Sequence, residues 1–146
     1  MTQWTIVPAS WRDLGALRAV EKTCFPKDAW PLWDLAGVLT LPDIIRLKAV
    51  VNDHMAGFIA GDIRRNEGIG WITTLCVWPE HRRRGLAKAL LEACEQQMDM
   101  PSVRLCVRRS NQAAIQLYLQ NGYTQFGVWP AYYHDGEDAL VLEKAI

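Results

Sequence analysis

Apolar positions recur along this chain in two periods, and the switches between them divide it into elements. Gln3 to Val7 alternates as a short strand does, and Pro8 ends it. Ser10 stands three residues before Asp13, the spacing of a capping box, and Leu14, Leu17, Val20 and Cys24 then share one helical face until Phe25-Pro26 stops the helix. The stretch Phe25 to Trp33 holds two prolines and two tryptophans, and Leu32, Leu35, Ala36 and Leu39 predict a second short helix leaving it. Ile44 to Val51 and Met55 to Arg64 are β-rich runs separated by Asn52-Asp53-His54. Ile69 to Val77 follows through the polar turn Arg65-Asn66-Glu67-Gly68, so the three runs read as an antiparallel meander. From Gly85 the period becomes helical, with Ala87, Leu90, Leu91, Cys94 and Met98 on one face before Pro101. Val103 to Val107 is a short apolar strand, and Asn111 to Asn121 is a helix closed by Gly122. Tyr123 to Trp129 and Asp138 to Glu143 form a terminal hairpin joined through Tyr132, Tyr133, His134, Asp135 and Gly136. The order β, α, α, β, β, β, α, β, α, β, β places all seven strands in one mixed sheet. The strand-helix-strand unit from Ile69 to Val107 requires one parallel pair.

No repeat, low-complexity tract or linker interrupts this order, and 146 residues fill one α/β domain spanning 1–146. Sixteen basic side chains balance sixteen acidic ones, which argues against a nucleic-acid partner. Met1-Thr2-Gln3-Trp4-Thr5 has neither a charged n-region nor an apolar h-region, and no stretch is long and apolar enough to span a membrane. The expected location is the cytoplasm, as a monomer or homodimer. Cys24, Cys76, Cys94 and Cys106 are widely spaced, without a C-x-x-C pair, and read as buried free thiols. His54, His81 and His134 each fall at a turn, read as surface histidines, and give no support to a metal site.

The chemically informative stretch is Val77-Trp78-Pro79-Glu80-His81-Arg82-Arg83-Arg84-Gly85-Leu86-Ala87-Lys88, a strand, a basic loop and a helix start. A glycine at that first turn admits close approach of a ligand, and the free N–H groups point outward with the positive end of the helix dipole behind them. Arg82, Arg83, Arg84 and Lys88 can neutralise phosphate charge, and Ala87 is too small to obstruct it. The stretch does not end in Gly-Lys-Ser/Thr, and Gly85 lacks the companion glycines of a dinucleotide fingerprint.

Arg82-Arg83-Arg84-Gly85-Leu86-Ala87 resembles the Q/R-x-x-G-x-G/A motif of the GNAT N-acetyltransferase superfamily. Leu105 to Asn111, Ala114, Leu117-Tyr118 and Asn121-Gly122-Tyr123 resemble the later strand-helix segment of that family. Tyr132-Tyr133 with Glu137-Asp138-Ala139 is similar to the C-terminal hairpin of its ribosomal-protein-alanine branch, and Phe25-Pro26 with Trp30 to that branch's substrate-side loop. The resemblance implies a GNAT fold whose parallel pair splays to admit the pantetheine arm of acetyl-CoA against Leu75, Cys76 and Val77. Arg82 to Lys88 and Asn111 would complete the cofactor site. The Val77 N–H would stabilise the oxyanion, and Tyr118 would be the acid toward the departing thiolate. Phe25, Trp30, Tyr132 and Tyr133 would flank the amine acceptor, attacked directly in a ternary complex. A protein N-terminal amine is favoured over a small amine, which Asp28, Asp34, Asp135 and Glu137 would hold.

The branch carries a glutamate two residues before the arginine matched here by Arg108, and this chain has Cys106 there. Proton acceptors left open are a water chain, Glu21, Tyr133, His134 and Glu137. Arg104 and Arg108 are expected on the strand face opposite Cys106, which would deny it a cation and disfavour an acetyl-cysteine route. Two other classes compete: a non-catalytic acyl-CoA-binding module that has lost its base, and an RNA-binding domain using Arg82 to Arg84 with Arg104, Arg108 and Arg109. Trp30 and Trp33 have a structural alternative, as plugs at the end of the core.

Overall fold

A computed structural model describes residues 3–146; Met1 and Thr2, the start of the amino-terminal stretch considered above, lie outside them. The elements are β1 (Thr5–Pro8), α1 (Leu14–Cys24), α2 (Leu32–Thr40), β2 (Ile44–Val51), β3 (His54–Arg64), β4 (Ile69–Val77), α3 (Leu86–Met98), β5 (Ser102–Arg108), α4 (Gln112–Gln120), β6 (Thr124–Trp129) and β7 (Ala139–Ala145). The expected capping box forms, with Ser10 N–H donating to Asp13 Oδ2 at 2.8 Å and Ser10 Oγ accepting from Arg12 N–H. It caps a 3-10 turn, Trp11–Asp13, that runs into α1.

The strands form one seven-stranded sheet in the order β1-β2-β3-β4-β5-β7-β6. The hairpin strand β7 lies inside, antiparallel to both β5 and β6, so β6 takes the edge. Every neighbouring pair is antiparallel except β4 with β5.

Helices cover the sheet on two faces. Leu86, Leu90, Leu91, Cys94 and Met98 of α3, with Ile115 and Tyr118 of α4, pack on Ile59, Ile72, Val103, Leu105 and Leu142 in the larger core. Gly61 and Gly70 make room there, since a Cβ at either would fall within 2.5 Å of the Met98 side chain. On the other face, Leu17 and Val20 of α1 and Leu35, Val38 and Leu39 of α2 pack on Phe58, Ala60 and Cys76. Trp33, expected as a possible core plug, stands 83% exposed on the first turn of α2, because the buried stripe of that helix runs through Leu35, Val38 and Leu39.

Candidate active site

Two departures from regular pairing create the site. The β4–β5 ladder holds only Ile69↔Ser102, Gly70↔Val103 and Trp71↔Arg104. Beyond it β4 stays with β3 as far as Val77, and β5 stays with β7 as far as Arg108, so a gap opens between the two parallel strands. A bulge at Thr73, whose hydroxyl bonds the Ala60 carbonyl at 3.1 Å, bends β4 just where the ladder ends.

The second half of β4 lines this gap with its backbone. Trp78 N–H donates back to the Ala56 carbonyl on β3 at 2.9 Å. Because amide directions alternate along a strand, the Leu75 and Val77 N–H groups point to the opposite edge, where β5 has left. The Val77 carbonyl on that edge accepts from Arg82 Nε at 3.0 Å and from the Cys24 thiol at 3.3 Å. Arg82 is therefore turned back onto β4, while Arg83, Arg84 and Lys88 remain exposed around the turn.

That turn is shaped for an anion. Arg83 and Gly85 both have left-handed backbone, φ +63 and +84, and Gly85 is the N-cap of α3 with no side chain capping its first amides. The uncapped N–H groups after Gly85 and the exposed cations at Arg83, Arg84 and Lys88 could hold a phosphate-bearing ligand at the mouth of the gap. Asn111 sits one strand away as the N-cap of α4, its Oδ1 accepting from Ala114 N–H at 3.3 Å.

Tyr118 reaches the gap from α4. It is buried, stacks edge-on against Tyr123 at 5.7 Å, and feels Cys106 and Cys76 from the two splayed strands. Burial first, then those thiols, raise its pKa, so the phenol keeps its proton across the neutral range.

The proton acceptors left open separate in three dimensions. Glu137 accepts from Ser110 N–H and Arg108, bonds that hold its carboxyl below the usual range, as their fixed donors make it a poor base. Burial first raises the Tyr133 pKa, and His134 is exposed, 3.9 Å from Asp28. Glu21 is fully buried at 0% exposure, with Oε2 accepting from the Thr74 hydroxyl of β4 at 2.6 Å and Oε1 from Trp30 N–H at 3.3 Å. Its burial raises the carboxyl pKa, and the two hydrogen bonds only partly offset this.

Cys106 corrects one expectation. Residues two apart on a strand share a face, and Arg104, Cys106 and Arg108 are the half-buried series of β5 opposite buried Val103, Leu105 and Val107. The cations are nevertheless engaged elsewhere: Arg104 pairs with Glu143 at 2.5 Å, and Arg108 binds three carboxylates. Burial raises the Cys106 pKa against the hydrogen bonds of Tyr132 and Tyr133.

Arg108 joins the two loops that carry the expected acceptor residues. Its Nε and Nη2 bind both oxygens of Asp28, in the loop of Phe25 and Trp30, at 2.6 and 2.7 Å. Nη1 binds Asp135 and Glu137, in the loop of Tyr132 and Tyr133, at 2.9 and 2.7 Å, and the guanidinium lies 4.2 Å from the Tyr133 ring centroid. Nothing in the linear sequence pairs these residues. His81 departs from the surface reading, since its Nδ1 is buried without a partner. Among the described residues no three His, Cys, Asp or Glu side chains converge as metal ligands.

Residues 12–123 match the acetyltransferase (GNAT) family. The chain belongs to that family. It is 35% identical over 139 residues to the NAA10 catalytic subunit of the N-terminal acetyltransferase A complex of Arabidopsis thaliana, covering 90% of this chain and 72% of the relative. The crystal structure of the ribosomal-protein-S18-alanine N-acetyltransferase from Escherichia coli superimposes with a TM-score of 0.89 at 27% identity, over 99% of this chain and 94% of that one. The fold is shared with Arabidopsis thaliana NAA60 in complex with acetyl-CoA, at a TM-score of 0.87 and 21% identity, over 99% of both chains. The protein is thus a GNAT acetyltransferase with the family's mixed seven-stranded sheet.

Proposed function

We propose that the protein transfers the acetyl group of acetyl-CoA to a primary amine, a protein N-terminal amine in first place, by direct attack within a ternary complex. The observation that carries this is the end of the β4–β5 ladder at Trp71↔Arg104, which frees the Leu75 and Val77 amides beside the uncapped turn at Gly85. In this reading Leu75, Cys76 and Val77 pair with the pantetheine arm, while residues Arg83 to Lys88 and Asn111 hold the nucleotide end. The Val77 N–H donates to the acetyl carbonyl oxygen as it gains charge. Tyr118, kept protonated by burial, supplies the proton to the leaving sulfur, and Glu21, directly or through water, takes one from the amine.

The acceptor lies between the Phe25–Trp30 loop and the Tyr132–Tyr133 loop, whose spacing Arg108 sets. A small polycation is less well served, because Asp28, Asp135 and Glu137 are already bonded to Arg108. Of the arginines a nucleic-acid surface would use, Arg82 contacts Val77, Arg104 contacts Glu143, Arg108 contacts Asp28, Asp135 and Glu137, and Arg109 contacts Asp138, which leaves Arg83 and Arg84 as the exposed pair. Among the described residues no helix is long and apolar enough to cross a membrane.

The test has two arms. Acetyl-CoA at about 100 times its Kd should stabilise the fold by roughly 2.7 kcal/mol, a shift of several degrees in Tm that ATP does not reproduce. Peptides with free N-termini and a set of small amines are then assayed for acetylation by mass spectrometry. Acetylation of small amines alone would overturn the N-terminal assignment, and binding without turnover on any amine would favour a non-catalytic acyl-CoA module.

A further inference from the structure

The fold brings together two cysteines that share no sequence motif. Cys24, the last residue of α1, is half-buried, and Cys76 is buried on β4 in the same small core. The Cys24 sulfur lies 3.5 Å from Arg82 Nη2 and 3.3 Å from the carbonyl of Val77, the residue that follows Cys76, and Cys24 packs against the core cluster that contains Cys76. Among the described residues no cation is bonded to the sulfur of Cys94 or Cys106.

Their ionisation follows this placement. Cys76 and then Arg82 hold the Cys24 thiol down to about 6, while Cys24 and burial push the Cys76 thiol well up. Burial pushes Cys94 up to about 12 and also raises Cys106. Ionisation gives up the Cys24 bond to the Val77 carbonyl and leaves a thiolate held by Arg82 beside the protonated Cys76, the division of labour of an attacking and a resolving cysteine.

We propose that Cys24 is a modification site for oxidants of the peroxide class and that Cys76 resolves it, giving an intramolecular disulfide that ties the end of α1 to β4. The Cys24 thiolate attacks one peroxide oxygen, the O–O bond breaks, and hydroxide leaves as the sulfur becomes a sulfenic acid. The Cys76 sulfur then attacks the Cys24 sulfur, the S–O bond breaks, and the hydroxyl departs as water with the Cys76 proton. Two thiols and one hydrogen peroxide yield one disulfide and two waters, the sulfurs losing the two electrons that the peroxide gains.

The disulfide would anchor β4 beside the Val77 amide and take from Arg82 its anionic partner. Acetyl-CoA seated against Val77 should therefore slow the oxidation. That last expectation rests on the cofactor placement proposed above, and the thiol pair does not.

Full-length protein is treated with hydrogen peroxide, alkylated after denaturation, and read by intact mass and peptide mapping. The expected product has lost two hydrogens and yields a linked Cys24–Cys76 peptide. Cys24→Ser abolishes the product, and Cys76→Ala converts it to oxygen adducts on Cys24. In untreated protein iodoacetamide at neutral pH labels Cys24 at least about tenfold faster than Cys94 or Cys106. Four intact thiols at a dose that oxidises glutathione, or oxygen adducts on wild-type Cys24 without a link, would overturn the proposal. A disulfide that forms equally fast with saturating acetyl-CoA would overturn the cofactor placement and leave the thiol pair standing.

Discussion

Replacing Glu21 by glutamine separates catalysis from stability, because the two should move in opposite directions. The amide can keep both bonds of the carboxylate, its oxygen accepting from Trp30 N–H and its nitrogen donating to the Thr74 hydroxyl, which lies 2.6 Å from Oε2. The side chain is fully buried and burial raises its pKa, so the folded state binds the proton more tightly than the unfolded chain. Stability is then highest at low pH and falls as pH rises from the usual glutamate range through the raised value. Each unit of that rise costs about 1.4 kcal/mol at higher pH, or roughly 4 °C in Tm for a domain of this size. Glu21→Gln removes the cost. Its Tm at pH 7 should equal or exceed that of the wild type, with the advantage shrinking as pH falls from the raised value into the usual glutamate range and gone below it. Turnover on a peptide N-terminus should fall about 10²- to 10⁴-fold, the usual contribution of a general base. Thermal scans from pH 4 to 8 and a thiol-release assay read the two effects. Wild-type turnover in the variant would refute the assignment of Glu21 as proton acceptor, and a Tm several degrees lower at pH 7 would refute the burial argument.

Gly85→Glu puts a carboxylate and a left-handed side chain at φ +84, strain of about 1–2 kcal/mol, and should abolish the acetyl-CoA-induced Tm shift; an unchanged shift would remove the phosphate turn from the site. Tyr118→Phe should lower kcat about 10²-fold or more with cofactor affinity unchanged by titration calorimetry, and full activity would place the acid elsewhere. Arg108→Lys keeps one charge but cannot serve Asp28 and the Asp135–Glu137 side with two edges of a planar fork. KM for a peptide acceptor should rise about tenfold or more with the acetyl-CoA Kd unchanged, and an unaltered KM would show that Arg108 does not set the spacing of the two acceptor loops.

Much of the molecule was legible in local pattern. The helical period from Gly85 to Met98, the Ser10–Asp13 cap, the Gly122 stop and the meander from Ile44 to Val77 all rest on contacts between residues close in sequence, and each appears in the fold. The uncapped turn at Gly85 was equally visible, since a basic loop, a glycine and a helix start are contiguous. Misreadings arose where a side chain's surroundings come from distant elements. Trp33 is exposed because the stripe of α2 that meets the sheet excludes it. Arg104 and Arg108 are a different case, since the two-residue period of a strand, a local rule, already puts them on the face of Cys106.

The sequence by itself determined the elements, their order and the parallel pair, because periodicity, caps and turn residues act over a few positions. Only the tertiary structure decided how far that pair extends, that the Glu21 carboxyl is buried against β4, and that Arg108 spans two loops. It also decided that Cys24 meets Cys76. Each of these depends on partners tens of residues apart, brought together when the two cores close on the sheet, and no local pattern encodes such a meeting.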